Sequence, residues 1–170
     1  MAKKLSPLHQ ELIPYLYYGD PAAAVEFLNR AFGFAIRNVH RDEAGGVMHA
    51  ELGVGKSAVM LGPARDEFGF RAPNALPARH AGVWCYVDGA DAHCAKARAA
   101  GATIVREPVD QFYGVREYTA RDPEGQEWFF ATPLPGQGEP ARRRQPAKRA
   151  KARGRKAAAR KPKRKAAKKK

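Results

Sequence analysis

The stretch "VMHAEL" alternates an apolar set, Met48, Ala50 and Leu52, with a polar one, His49 and Glu51. Successive side chains of a strand point to opposite faces, so if the apolar set packs under a helix, His49 and Glu51 share the other face. A carboxylate beside an imidazole there has the chemistry of a general base and its partner, acting on an acidic C–H or hydroxyl. The same two residues also suit a plain polar pair near a rim. "VREYTAR" repeats the pattern, with Tyr118 and Ala120 on the helix side and Glu117 and Thr119 opposite. His49, Glu51 and Glu117 are therefore the catalytic candidates. The acidic "DPEG" at Asp122–Gly125 is fully explained as a tight turn, with proline presetting φ and glycine supplying positive φ. No glycine-rich phosphate loop, nucleophile elbow or zinc signature occurs.

These residues are positioned by elements the chain spells twice. "YGDPAAAVEFLNRAFGFAI" (Tyr18–Ile36) and "VDGADAHCAKARAAGATIV" (Val87–Val105) align at an offset of 68, which also superposes Gly46 on Gly114. Such self-similarity marks a duplicated structural unit. Each unit opens with a strand, Leu12–Tyr18 or Gly82–Val87. A helix follows, capped by Asp20 in the first unit and by Asp88 or Asp91 in the second, and ended by Gly33 or Gly101. In the first helix Ala24, Phe27, Leu28 and Ala31 form one buried stripe. Three further strands complete each unit, Phe34–Arg41, Val47–Gly53 and Ser57–Leu61, then Thr103–Val109, Val115–Arg121 and Gln126–Ala131. The fold class is α+β, two βαβββ modules. One module alone buries too little surface to be stable; two can curl their sheets into one trough with the helices outside. Module 1 spans about 8–62, the linker 63–79 and module 2 about 80–133, together a domain over 1–133. The linker is long for a compact domain, so it is a plain connection or a lid carrying Phe68 and Phe70.

"PYLYYGDPAAAVEFLNRAFGF", "HAELG", "VDGADAHCAKARAAGA" and "YGVREYTARDPEGQEWFFA", in this order, resemble the vicinal oxygen chelate superfamily, the glyoxalase/bleomycin-resistance/extradiol dioxygenase fold. The resemblance is to its PhnB-like and bleomycin-resistance-like members and covers about Leu12 to Thr132. It implies a trough that, in metal-using relatives, holds a divalent ion on four strands. The matching positions here are near Ile13, Leu61, Gly82 and Phe129, none of them a ligand. A two-residue shift brings in only His80 or Glu127, too few for a catalytic metal site. The resemblance therefore implies a trough without metal or other cofactor, and a homodimer. It turns Tyr15 and Tyr17 inward from the first strand and Trp84 and Tyr86 from the fifth. With His49, Glu51, Glu117 and Thr119 these are the candidate ligand-binding residues. Their mixture suits a small aromatic or cationic molecule, held by stacking and oriented by carboxylates. Alternatively, the tyrosines simply fill a closed sheet.

The expected function is metal-independent binding or sequestration of a small molecule. The alternatives are a metal-dependent lyase, isomerase or dioxygenase of the same superfamily, and a nucleic-acid-associated protein acting through its tail. From residue 134 the chain carries 17 Lys or Arg against Glu139 alone, a net of +16, while residues 1–133 sit at −2. Residues 134–170, with no apolar residue large enough for a core after Leu134, read as a disordered tail like the arms of histone H1-like proteins. Over 142–170 it could neutralise nucleic-acid phosphates without reading sequence, or be a solvated extension with no partner. No apolar run is long enough to span a membrane, and "MAKKLSPLHQ" lacks a signal-peptide core, so the cytoplasm is expected. Cys85 and Cys94 read as buried free thiols. His9, His40 and His93 read as surface residues, and Trp128 and Phe130 as core.

Overall fold

The computed structural model describes residues Leu12 to Gly136, so the basic tail beyond them and His9 lie outside the described residues. The elements follow the order β1 (Tyr15–Tyr18), α1 (Pro21–Phe32), β2 (Ala35–Arg41), β3 (Val47–Val54), β4 (Ser57–Pro63), β5 (Gly82–Tyr86), α2 (Ala90–Ala99), β6 (Thr103–Asp110), β7 (Val115–Arg121) and β8 (Glu127–Pro133). Two four-stranded sheets result, ordered β1-β4-β3-β2 and β5-β8-β7-β6. The βαβββ architecture is thus present twice. Its ladders repeat at the same offset: Ala35 pairs with Gly53 and Ile36 with Leu52, as Thr103 pairs with Arg121 and Ile104 with Ala120. Each ladder then shifts register at the next residue, before Asn38 and before Arg106.

Local chemistry explains where the helices begin and end. Asp20 accepts from the Ala23 amide at 3.0 Å, and Pro21 occupies the first turn, where its missing N–H costs nothing. Gly33, at φ 71°, closes α1 by donating to the Asn29 and Leu28 carbonyls. In the second module the acidic cap does not form. Gly89 stands at the helix start with no side-chain cap, and Asp91 instead takes Arg116 of β7 in a two-point ion pair at 2.6 and 2.9 Å. A fork of guanidinium donors outcompetes a single amide for that carboxylate.

The two modules join through their helices. Helix α1 packs on α2, and Phe32 and Phe34 at its end reach the second module, where Phe34 meets Trp128 edge-on at 5.3 Å and Phe32 lies 4.8 Å from Phe130. Trp128, Phe130, Leu28, Leu52 and Leu61 are fully buried in one shared core. Neither module buries such a face alone, which is why the phrase is duplicated. Both cysteines are buried free thiols. Burial pushes the Cys85 thiol up to about 12.

Two polar clamps fasten this junction. His93, expected at the surface, is half-buried there: Nδ1 meets the Tyr118 hydroxyl at 2.6 Å and Nε2 the Phe32 carbonyl at 3.0 Å. Burial holds its pKa below 6.5, against the pull of the Phe32 carbonyl and helped by Lys96. The unfolded chain therefore binds more protons just below 6.5, and the fold loses stability as pH falls through that window. Urea unfolding at about pH 7 and about pH 5.5 should show this loss, and His93→Gln should flatten it. An unchanged pH dependence in the variant would remove His93 as its source.

The second clamp is the turn after β7. Asp122 is buried and accepts the Tyr18 hydroxyl of β1 at 2.7 Å, the Trp128 indole N–H at 3.1 Å, and the amides of Glu124 and Gln126. The Glu124 carboxylate accepts from the amides of Gly19 and Asp20 at 2.6 and 2.8 Å. "DPEG" is more than a turn: it ties the end of β1 to the second module.

Candidate functional site

The faces turned away from the helices carry all eight residues singled out in the sequence, but not as one group. On the first module Tyr15 lies 5.2 Å from Tyr17, and its hydroxyl is 3.2 Å from Nδ1 of His49. Nε2 of His49 is 3.6 Å from the Glu51 carboxylate, whose side chain is only 9% exposed. Burial, then Tyr17, raises the Tyr15 pKa, so its hydroxyl keeps its proton at neutral pH. The Tyr15 ring occupies the space a side chain would need at Gly62, where an added Cβ would stand 2.6 Å from the hydroxyl oxygen. Gly62→Ala should therefore swing Tyr15 off His49 while leaving the fold intact. Mutant and wild-type crystal structures check this, with an unmoved Tyr15 as the contrary result.

On the second module Trp84 stacks with Phe129 at 6.1 Å and lies edge-on to Tyr86. Phe129 in turn lies over Gly82, where a Cβ would come within 2.5 Å of its ring. Glu117, 2% exposed, accepts from the Tyr113 hydroxyl at 2.5 Å and faces Arg106 at 3.7 Å. The hydrogen bond to Glu117 is the main reason the Tyr113 pKa is raised. Thr119 is equally buried, and among the described residues its hydroxyl has no partner. Ladder register places Glu117 and Thr119 where the first module has His49 and Glu51. Neither Tyr113 nor Arg106 stands out in sequence. The only cue to Tyr113 is its place in the turn before β7, four residues ahead of Glu117.

A cavity of about 470 Å³ opens where β1 of the first module approaches β5 and the start of β8. Tyr15, Tyr17 and Trp84 line it, with Arg79, His80 and Glu127. His49, Glu51, Tyr86, Glu117 and Thr119 do not. The linker supplies another wall. It contains short 3-10 turns at Asp66–Phe68 and Pro73–Ala75, and Phe70 stacks on Tyr17 at 4.1 Å and 9°. Phe70 thus pins the linker to β1, while Phe68 stays exposed.

At the positions the resemblance implies, the described residues do not fit a metal. Among the described residues no three His, Cys, Asp or Glu side chains converge as ligands. Of the four positions the resemblance pointed to, Leu61 is turned into the core, a register correction that puts Met60 on the outer face, opposite Glu51 in the ladder. Ile13, Met60, Gly82 and Phe129 offer no hard donor. Glu127 is held by Arg121 at 3.1 Å and Arg79 at 3.8 Å, so it is no better placed to ligate a cation.

The paired modules, and the strand faces that carry the candidate residues, define the class. Residues 9–130 match the Glyoxalase/Bleomycin resistance protein/Dioxygenase superfamily, and the chain belongs to it. Among solved structures it is similar to TioX from Micromonospora sp. ML1, with 32% identity over 72% of this chain and 95% of that one, at a TM-score of 0.59. A superfamily enzyme from Burkholderia phytofirmans PsJN, 22% identical with a TM-score of 0.57 over 71% and 95% of the two chains, shares the fold. The uncharacterized protein Rv0887c of Mycobacterium tuberculosis is 29% identical over 126 residues, 72% of this chain and 74% of that one. Among the described residues no helix is long and apolar enough to cross a membrane.

Proposed function

We propose that this chain is a metal-independent binding protein that sequesters a small aromatic molecule, a cytoplasmic homodimer of the bleomycin-resistance-like or PhnB-like kind. The supporting observation is the cavity of about 470 Å³ walled by Tyr15 and Tyr17 from one module, Trp84 from the other and the linker between them. Its size and lining suit a planar ligand of modest size. Trp84, Tyr86 and Tyr15 remain 41%, 55% and 40% exposed, an apolar surface that a second copy would cover. The test is titration of chelator-treated protein with planar aromatic compounds, read by tryptophan fluorescence against a Trp84→Phe control. Saturable quenching lost in the control supports the reading; no quenching or thermal shift across the panel refutes it.

A second reading is proton transfer, favoured by the chain from Glu51 through His49 to the Tyr15 hydroxyl at the cavity wall. His49→Ala would abolish turnover under this reading, yet leave affinity nearly unchanged under the first. The basic segment 142–170, outside the described residues, is proposed as an arm for nonspecific contact with nucleic acid, on its charge alone. Equal DNA retention at low salt with and without residues 134–170 would contradict that role.

A further inference from the structure

The charges around the cavity differ in sign from those that suggested a cationic ligand. Glu51 and Glu117, the carboxylates expected to orient a cation, do not line it, and both are occupied, Glu51 by His49 and Glu117 by Tyr113 and Arg106. The cavity's own ionic lining is Arg71, Arg79 and Glu127, with His80 beside them. Arg71 is matched by Asp66 at 3.1 Å. Glu127 faces two guanidiniums, Arg121 close at 3.1 Å and Arg79 loosely at 3.8 Å, so one positive charge stays uncompensated. His80 has neither hydrogen bond nor ion pair among the described residues. It also lines an adjoining, more open cavity of about 480 Å³ with Tyr17, Phe70 and Arg71.

We infer that the ligand is an aromatic anion, with its ring against Tyr15, Tyr17 and Trp84 and a carboxylate or equivalent group held by Arg79 and His80. This rests on the binding function proposed above and names its ligand class. An ammonium group placed there would meet Arg71 and Arg79 instead, with Glu127 already taken. A carboxylate gives Arg79 a closer partner than Glu127 and gives His80 its first.

The experiment compares three probes of one shape, 2-naphthoate, 2-naphthamide and 2-(aminomethyl)naphthalene, titrated into the full chain. A charge-assisted hydrogen bond at a partly exposed site predicts naphthoate binding about 10-fold tighter than the amide, and the amine weakest. Arg79→Gln/His80→Gln, both at exposed positions just ahead of β5, should fold normally by thermal unfolding and erase the preference. Equal affinity for all three probes, or preference for the amine, overturns the anionic assignment and leaves the binding function standing. A preference that survives in the double variant also overturns it. No binding of any probe refutes both.

Discussion

Asp122→Ala is expected to lower the unfolding free energy by about 3–5 kcal/mol, from two orphaned buried donors and the loss of two turn hydrogen bonds. Tyr18 and Trp128 are each no more than 1% exposed, and both direct their polar hydrogens at the same carboxylate oxygen. Removing that oxygen leaves both donors without water or protein. Tyr18→Phe, which removes one donor and keeps the ring, should cost only about 1 kcal/mol. Asp122→Asn keeps an acceptor and should fall between. It also carries a pH signature. Burial raises the Asp122 pKa despite its four hydrogen bonds, so the native state holds its proton above the ordinary value of 3.8. Between that value and the raised one the native state binds more protons, and stability falls as pH rises through the window. Urea unfolding just above about pH 4 should show this slope as a difference between the wild type and Asp122→Asn. A substitution to alanine that costs under about 1 kcal/mol would mean the carboxylate does not join the modules.

Tyr17→Ala should weaken ligand binding by about 30-fold or more, because it deletes a wall of the cavity and the ring on which Phe70 rests. Trp84→Ala should cost about 10-fold from the loss of one aromatic face. Tyr86→Ala and Glu117→Gln provide the contrast. Both lie on the outward strand faces yet away from the cavity lining, so their affinities should stay within about 3-fold of wild type. Calorimetric titration of the four variants with 2-naphthoate separates the seam cavity from the broader face. If Glu117→Gln or Tyr86→Ala costs as much as Tyr17→Ala, the ligand sits on the second sheet and not at the seam.

Duplication made most of the fold readable from the chain. The glycine offset and the two-residue alternation are local properties, and they place β2, β3 and β4 and their counterparts within two residues. They also separate Ala50, Leu52, Tyr118 and Ala120 from the polar residues between them. That the modules pair was readable; the contacts that join them were not. Nothing local says that Phe32 and Phe34 will pack on Trp128 and Phe130, which joins the modules through their helices and draws His93 into the junction. Asp122 was hidden for a different reason: its turn chemistry is sufficient by itself, so the reach of Tyr18 and Trp128 to the same carboxylate leaves no trace in spacing. Asp91 looked like a helix cap because Arg116, its true partner, is 25 residues away. Alternation assigned a face to His49, Glu51, Glu117 and Thr119, and the resemblance did so for Tyr15, Tyr17, Trp84 and Tyr86, yet a face is wider than a cavity. Tyr15, Tyr17 and Trp84 line the cavity because β1 and β5 are edge strands that approach one another, a property of sheet order.

The most direct measurement is a crystal structure of chelator-treated protein with 2-naphthoate. Ring density between Tyr15, Tyr17 and Trp84, with the carboxylate toward Arg79 and His80 and no bound ion, is the result predicted here. A ring bound elsewhere, or a cation coordinated on the strand faces, would contradict the account.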